Sequence, residues 1–196
     1  MTLRTLARYF ALAAAAVAAL PTITGCVPVL VAAAVGGGAL VVADRRSTGA
    51  QVDDEAIEIK VANAKRARHG TNVHLNVTAY NGNVLLTGEA PNQDAMNDVG
   101  NIARTTDRVR SVQNEMVVGP PSSLGDRSND TIITSKVKAR FVEANEFHAN
   151  QVKVVTERGV VYLMGIVNRQ EADAASRLAA QTSGVVRVVR VFEYAS

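Results

Sequence analysis

The 196 residues carry 21 Lys and Arg against 18 Asp and Glu, a net charge of +3, and loss of a leader over residues 1–25, with Arg4 and Arg8, leaves 19 against 18. So even a balance, with no basic cluster, excludes nucleic acid as a partner. A single cysteine excludes an intramolecular disulfide, and a composition 47% apolar, 4% aromatic and without tryptophan calls for a Val, Ile, Leu and Ala core in one or two domains.

The chain opens with Arg4 and Arg8, an apolar run from about Phe10 to Leu20, and Ile23-Thr-Gly-Cys26. A short basic region, an apolar stretch and small residues before the cut are a secretory leader, and the cysteine makes its end a lipobox. In that motif the thiol of Cys26 takes a diacylglyceryl group, the chain is cut before it and the freed amine is acylated, which meets the requirement for stable anchoring. The uncharged stretch Tyr9 to Ala43 is long enough to span a bilayer, but Pro21, Gly25, Pro28 and Gly36 to Gly38 interrupt any continuous helix. Residues 26–52 then read as a tether spanning roughly 25–30 Å r.m.s..

Beyond the tether the chain repeats itself. Ile57, Lys60 and Val61 recur as Ile133, Lys136 and Val137, and Gly82, Val84, Leu86 and Gly88 recur as Gly159, Val161, Leu163 and Gly165. This places one domain over 53–118 and a second over 126–196, joined by a Pro-containing linker over 119–125. In each copy an aspartate, Asp53 or Asp130, is the expected N-cap of an amphipathic helix. Two alternating segments follow, joined by Asn81-Gly82 and by Arg158-Gly159, a hairpin signal because both turn positions need positive φ. Second helices open at Pro91-Asn92 and at the Asn168 to Glu171 capping box; the first of them, with Asn97, Asp98 and Gly100, is built from poorer helix formers. Val109 to Val118 and Val185 to Tyr194 read as closing strands. The expected fold class is α+β, helix-strand-strand-helix-strand in each copy, with a mixed three-stranded sheet packed by two helices.

The lipobox, the Asp44-Arg-Arg-Ser-Thr-Gly49-Ala-Gln-Val-Asp-Asp54 segment, and the paired segments Asn76 to Gly88 and Asn129 to Lys136 resemble the dual-BON-domain outer-membrane lipoproteins of the DolP (YraP) family. The resemblance covers nearly all of the chain after Cys26. It implies two tandem BON domains, a phospholipid-binding second domain, no enzymatic activity, and a role in outer-membrane integrity with recruitment to division sites. By the sorting rule of such envelopes, Val27 rather than aspartate after the cysteine directs the protein to the outer membrane, lipid-anchored and facing the periplasm.

The residues themselves carry little chemistry of other kinds. His69, His74 and His148 have no cysteine or acid grouping at ligand spacing and no nucleophile elbow or paired acids are recognisable, so neither catalytic residues, metal nor cofactor is expected. On the helix opening the second domain, Ile133, Val137 and Phe141 share the face toward the sheet, whereas Ile132, Ser135, Lys136 and Ala139 point outward with Arg140 beside them. The family carries an aromatic residue where this chain has Ile132, which implies a weaker contact here, and Glu143 on the same face opposes anionic lipid. Residues 53–118 hold 7 basic and 9 acidic side chains and residues 126–196 hold 10 and 8, so only the second domain is suited to an anionic phospholipid surface of the phosphatidylglycerol kind. The alternative partner is protein: an assembly or quality-control factor docking on outer-membrane barrel machinery.

Overall fold

Asn81 and Gly82 take φ of 52° and 75°, and Arg158 and Gly159 take 53° and 73°, so both hairpins turn as their dipeptides require. The structure, a computed structural model, describes residues 44–195; the leader, Cys26 and the tether up to residue 43 lie outside them. The first repeat comprises α1 (Thr48–His69), β1 (His74–Tyr80), β2 (Asn83–Ala90), α2 (Gln93–Arg104), β3 (Ser111–Asn114) and β4 (Val117–Val118). The second comprises α3 (Leu124–Ala144), a 3₁₀ turn (Ala149–Gln151), β5 (Lys153–Glu157), β6 (Val160–Val167), α4 (Arg169–Ala180) and β7 (Arg187–Tyr194).

Both sheets are mixed, with the hairpin's second strand central. β1 pairs antiparallel with β2, which pairs parallel with β3 from Asn83↔Ser111; β5 pairs antiparallel with β6, which pairs parallel with β7 from Val160↔Arg187 to Val167↔Tyr194. β4 continues β3 along β2 in one register, and the break between them is local: the Asn114 side chain accepts the Met116 N–H, and Met116 turns into the core. The repeated Val-x-Leu-x-Gly motif has a steric cause. A Cβ on Gly88 would stand 2.3 Å from the His74 carbonyl oxygen, and one on Gly165 would stand 2.4 Å from that of Gln151.

The expected N-caps are corrected by the structure. Ser47 caps α1 and Ser123 caps α3, so α1 begins inside the segment read as tether and α3 inside the linker. Asp130 instead lies buried within α3, where its carboxylate accepts the N–H groups of Arg158 and Gly159, both at 2.8 Å. Its counterpart is Asp54, not Asp53: it accepts from Asn81 and Gly82 at 2.6 and 2.7 Å, while Asp53 pairs with Arg108 nearer the surface. One buried acid per domain thus pins the first helix to the hairpin turn, satisfying donors that the positive-φ turn directs inward.

Each domain packs its two helices on one sheet face. Ile57, Val61, Leu86 and Val99 centre the first core, and Ile133, Val137, Phe141 and Leu163 the second, with the Phe141 and Phe147 rings edge to face at 5.0 Å. The opposite faces of the two sheets close on each other through Tyr80, Leu85, Tyr162 and Met164, which is why β2 and β6 are buried on both sides. The molecule is therefore layered helix, sheet, sheet, helix. Burial at this seam pushes the Tyr162 hydroxyl up to about 12, with the negative charge of Glu115 acting in the same direction. Polar links border the seam: Lys153 to Glu58 at 3.1 Å, Asn81 to Glu193 at 2.9 Å, and Arg45, ahead of α1, bidentate on Glu171 of α4 at 2.7 and 2.8 Å. Arg45 holds the Glu171 carboxyl below the ordinary carboxylate range.

Candidate membrane-contact helix

The first turn of α3 is set by a capping box in which Ser123 and Asp126 bond reciprocally. The Ser123 hydroxyl and backbone N–H hold the Asp126 carboxyl below its usual range. At the other end Asn145 adopts the left-handed conformation, φ 49°, and closes the helix with its N–H on the Phe141 carbonyl. Between these caps Ile133, Val137 and Phe141 face the sheet, and the rotation of the rest follows.

Ile132, Ser135, Lys136 and Ala139 are all exposed on the opposite face, Ile132 to 53%. Ser135 is occupied locally, donating from Oγ to the Thr131 carbonyl at 2.9 Å. Arg140 departs from the group. It is half-buried, and its Nη1 is enclosed without a hydrogen-bond partner among the described residues, because at about 100° per residue it stands beside Ile133 and Val137 rather than beside Ile132.

Two residues outside the expected set join the outward face: Leu124 is 81% exposed and Val142 67%. Eighteen residues are five full turns, so these two lie on one line along the helix about 27 Å apart. Ile132 stands about 80° round from that line, and the sector between holds only Ser128, Ser135 and Ala139. Lys136 and Glu143 flank one edge of this apolar and small-residue strip and Lys138 the other, all three exposed, so one border is mixed in charge and the other cationic. Beside an apolar strip the stems of Lys136 and Lys138 lie along the apolar surface while their ammonium groups reach headgroups, and Glu143 subtracts from that attraction. Leu124 escapes the sequence reading because the helix was expected to start at Asp130; Val142 lies one turn beyond the group considered, and its spacing from Ile132 is the signal that identifies it.

The matching helix α1 also exposes Val52 and Ile59, so apolar exposure alone does not separate the repeats. Charge does. Glu55 is exposed beside Val52 and Ile59, Glu58 is committed to the Ala79 N–H and to Lys153, and Ala56 stands where α3 has Ile132. Among the described residues no helix is long and apolar enough to cross a membrane.

A family model described as the BON domain matches residues 53–120 and again 129–196. Outer membrane lipoprotein DolP of Haemophilus influenzae is 40% identical over 175 residues, covering 87% of this chain and 89% of that protein. The 21 kDa hemolysin of Actinobacillus pleuropneumoniae is 39% identical over 153 residues, 77% of this chain and 79% of the relative. Osmotically-inducible protein Y of Escherichia coli is 30% identical over 142 residues, 70% of each chain. With the repeat, the fold of both halves and this similarity in agreement, the chain belongs to the DolP family of outer-membrane lipoproteins, built on two tandem BON domains.

Proposed function

We propose that this protein is anchored by acyl chains on Cys26 to the periplasmic face of the outer membrane, that its second BON domain binds anionic phospholipid through α3, and that this binding supports envelope integrity, at division sites in particular. It acts by binding rather than by catalysis. The observation that carries the reading is the exposed strip of Leu124, Ile132 and Val142 between Lys136 and Lys138.

The energetics fit a tethered contact. Two lysines near an anionic surface contribute about 1 kcal/mol each. A fully buried aliphatic side chain gains about 1.5–3 kcal/mol, so three that enter the headgroup region only partly add about 2. A total near 4 kcal/mol is a millimolar affinity, too weak for a free domain and sufficient for one held at the surface by a lipid anchor. Since Arg140 is half-buried, its charge supports the field around α3 more than it supplies a direct headgroup contact.

The test is co-sedimentation of the full chain with phosphatidylglycerol-containing vesicles through sites that do not depend on the anchor: a Cys26→Ala, leader-free form is compared with the same form carrying Ile132→Glu and Lys136→Glu. Binding is expected for the parent, weakening with salt, and absent for the double variant at unchanged circular dichroism. The corresponding Ala56→Glu and Lys60→Glu pair on α1 should leave it intact. Persistence of binding in the folded α3 variant would transfer preference to docking on a protein partner of the outer-membrane assembly machinery.

A further inference from the structure

The seam between the two sheets changes character along its length. Past the apolar contact of Tyr80, Leu85, Tyr162 and Met164 it becomes polar: the β1–β2 register sets His74 opposite Glu89, and Glu157 closes on them from β5 of the other domain. His74 Nδ1 lies 2.8 Å from Glu89 Oε2, and Asn76 Nδ2 donates to Glu157 Oε2 at 2.7 Å. One ligand atom from each of His74, Glu89 and Glu157 lies within 4.8 Å of the other two. No spacing in the sequence betrays this cluster, because the fold joins positions 74, 89 and 157, which stand far apart along the chain.

Glu89 is fully buried, and its Oε1 has no hydrogen-bond partner among the described residues; the cation facing it is Arg158, whose Nη1 stands 3.6 Å away. Thr87 Oγ1, on the same face of β2, is likewise buried and without a hydrogen-bond partner among the described residues. A native structure rarely leaves a buried carboxylate oxygen unsatisfied, because the desolvation of a charged group is recovered only by a bond or a cation. The orphaned oxygen lies on the side of the carboxylate turned toward the second domain, where Arg158 and the neighbouring Glu157 approach.

We propose that His74, Glu89 and Glu157 bind a divalent cation of the zinc class, shared between the two domains. One imidazole nitrogen and two carboxylates form a donor set that suits zinc, which takes three protein ligands and a water at about 2.0–2.2 Å; tetrahedral ligands at that distance are about 3.3 Å apart, so His74 Nδ1 and Glu89 Oε2, now 2.8 Å apart, part slightly while any pair nearer the 4.8 Å bound draws in. The imidazole disfavours magnesium and calcium, which select oxygen. Arg158, half-exposed at the seam, is the competitor: its guanidinium faces the Glu89 carboxylate without the metal and swings toward solvent when the metal enters. Because Glu157 comes from the second domain and His74 and Glu89 from the first, the cation fastens the seam.

The experiment is calorimetric titration of the untagged, chelator-stripped full-length chain in detergent with zinc chloride. One equivalent should bind. His74→Gln, at a partly exposed position, and Glu157→Gln, an isosteric change at a buried one that keeps an acceptor for Asn76, should each weaken binding about tenfold or more at unchanged circular dichroism, and Arg158→Gln should tighten it. Millimolar magnesium should not compete. No saturable binding, an affinity unmoved by His74→Gln, or weaker binding in Arg158→Gln overturns the proposal.

Discussion

Replacing Asp130 by Asn isolates the link between α3 and the second hairpin. The carboxylate accepts two backbone N–H groups at 2.8 Å, and the Gly159 donor is buried whereas Arg158 lies at the surface. Hydrogen bonds to a charged group contribute about 1.5–3 kcal/mol each. An asparagine keeps one acceptor oxygen and turns an amide donor toward the second N–H, so one charge-assisted bond is lost and the other weakened, a cost of about 2–3 kcal/mol. With a urea slope of about 2 kcal/mol/M, the unfolding midpoint of the full chain should fall by about 1–1.5 M. Asn129→Ala, on the exposed neighbouring position, serves as control and should shift stability by less than about 0.5 kcal/mol. Asp54→Asn should cost more than Asp130→Asn, because Asp54 also carries the ion pair with Arg46 at 2.8 Å. If Asp130→Asn unfolds within about 0.5 kcal/mol of wild type, the turn donors are satisfied by water and the carboxylate is not the clasp.

Two further outcomes are expected. Hydrogen exchange should open residues 92–106 at lower free energy than residues 169–183: α2 has an Asn92 cap without the reciprocal bond, α4 has the full Asn168–Glu171 box, and the strand following α2 is broken at Glu115 and Met116; equal protection would mean that packing overrides local propensity. Arg45→Gln should raise the Glu171 pKa, read by NMR, and lower stability at neutral pH by about 1 kcal/mol, since the pair is partly exposed. Because Glu171 is depressed in the folded protein, the Arg45 contribution is complete above the ordinary carboxylate range and disappears as pH falls through the depressed value, so wild type and variant should converge in acid; a stability gap that persists there would assign the effect to packing.

Much of the architecture was legible because it is written in local chemistry. The hairpins follow from Asn81-Gly82 and Arg158-Gly159, α4 from its capping box, and the tandem domains from the spacing of Gly82, Val84, Leu86 and Gly88 against Gly159, Val161, Leu163 and Gly165. Helix starts were not, since Asp53 and Asp130 have the chemistry of a cap while the actual caps, Ser47 and Ser123, lie about two turns earlier; only the fold reveals that Asp130, and Asp54 in place of Asp53, serve as acceptors for the hairpin of the same domain. The outward positions of Ile132, Ser135, Lys136 and Ala139 follow from helical periodicity, whereas the burial of Arg140 depends on what packs beside it. Least legible was the seam. β6 is apolar on both faces, at Tyr162 and Met164 as well as Val161 and Leu163, a sign that a second surface covers it, but which surface is decided by contacts across about 80 residues of chain.

The layering has an electrical consequence. With the sheets back to back, the helices of the two domains occupy opposite outer layers, and the charges of the repeats, two more acids than bases in residues 53–118 and two more bases than acids in residues 126–196, are stacked rather than mixed. Among the described residues the net charge thus changes sign from the first domain to the second. An anionic surface therefore exerts a torque on the molecule before any side chain touches lipid, turning α3 toward the surface and α1 away, over a range set by the Debye length of about 8 Å at physiological ionic strength. Orientation and adhesion are thereby separable: charge reversal confined to α1 weakens the first while leaving every contact of the second in place.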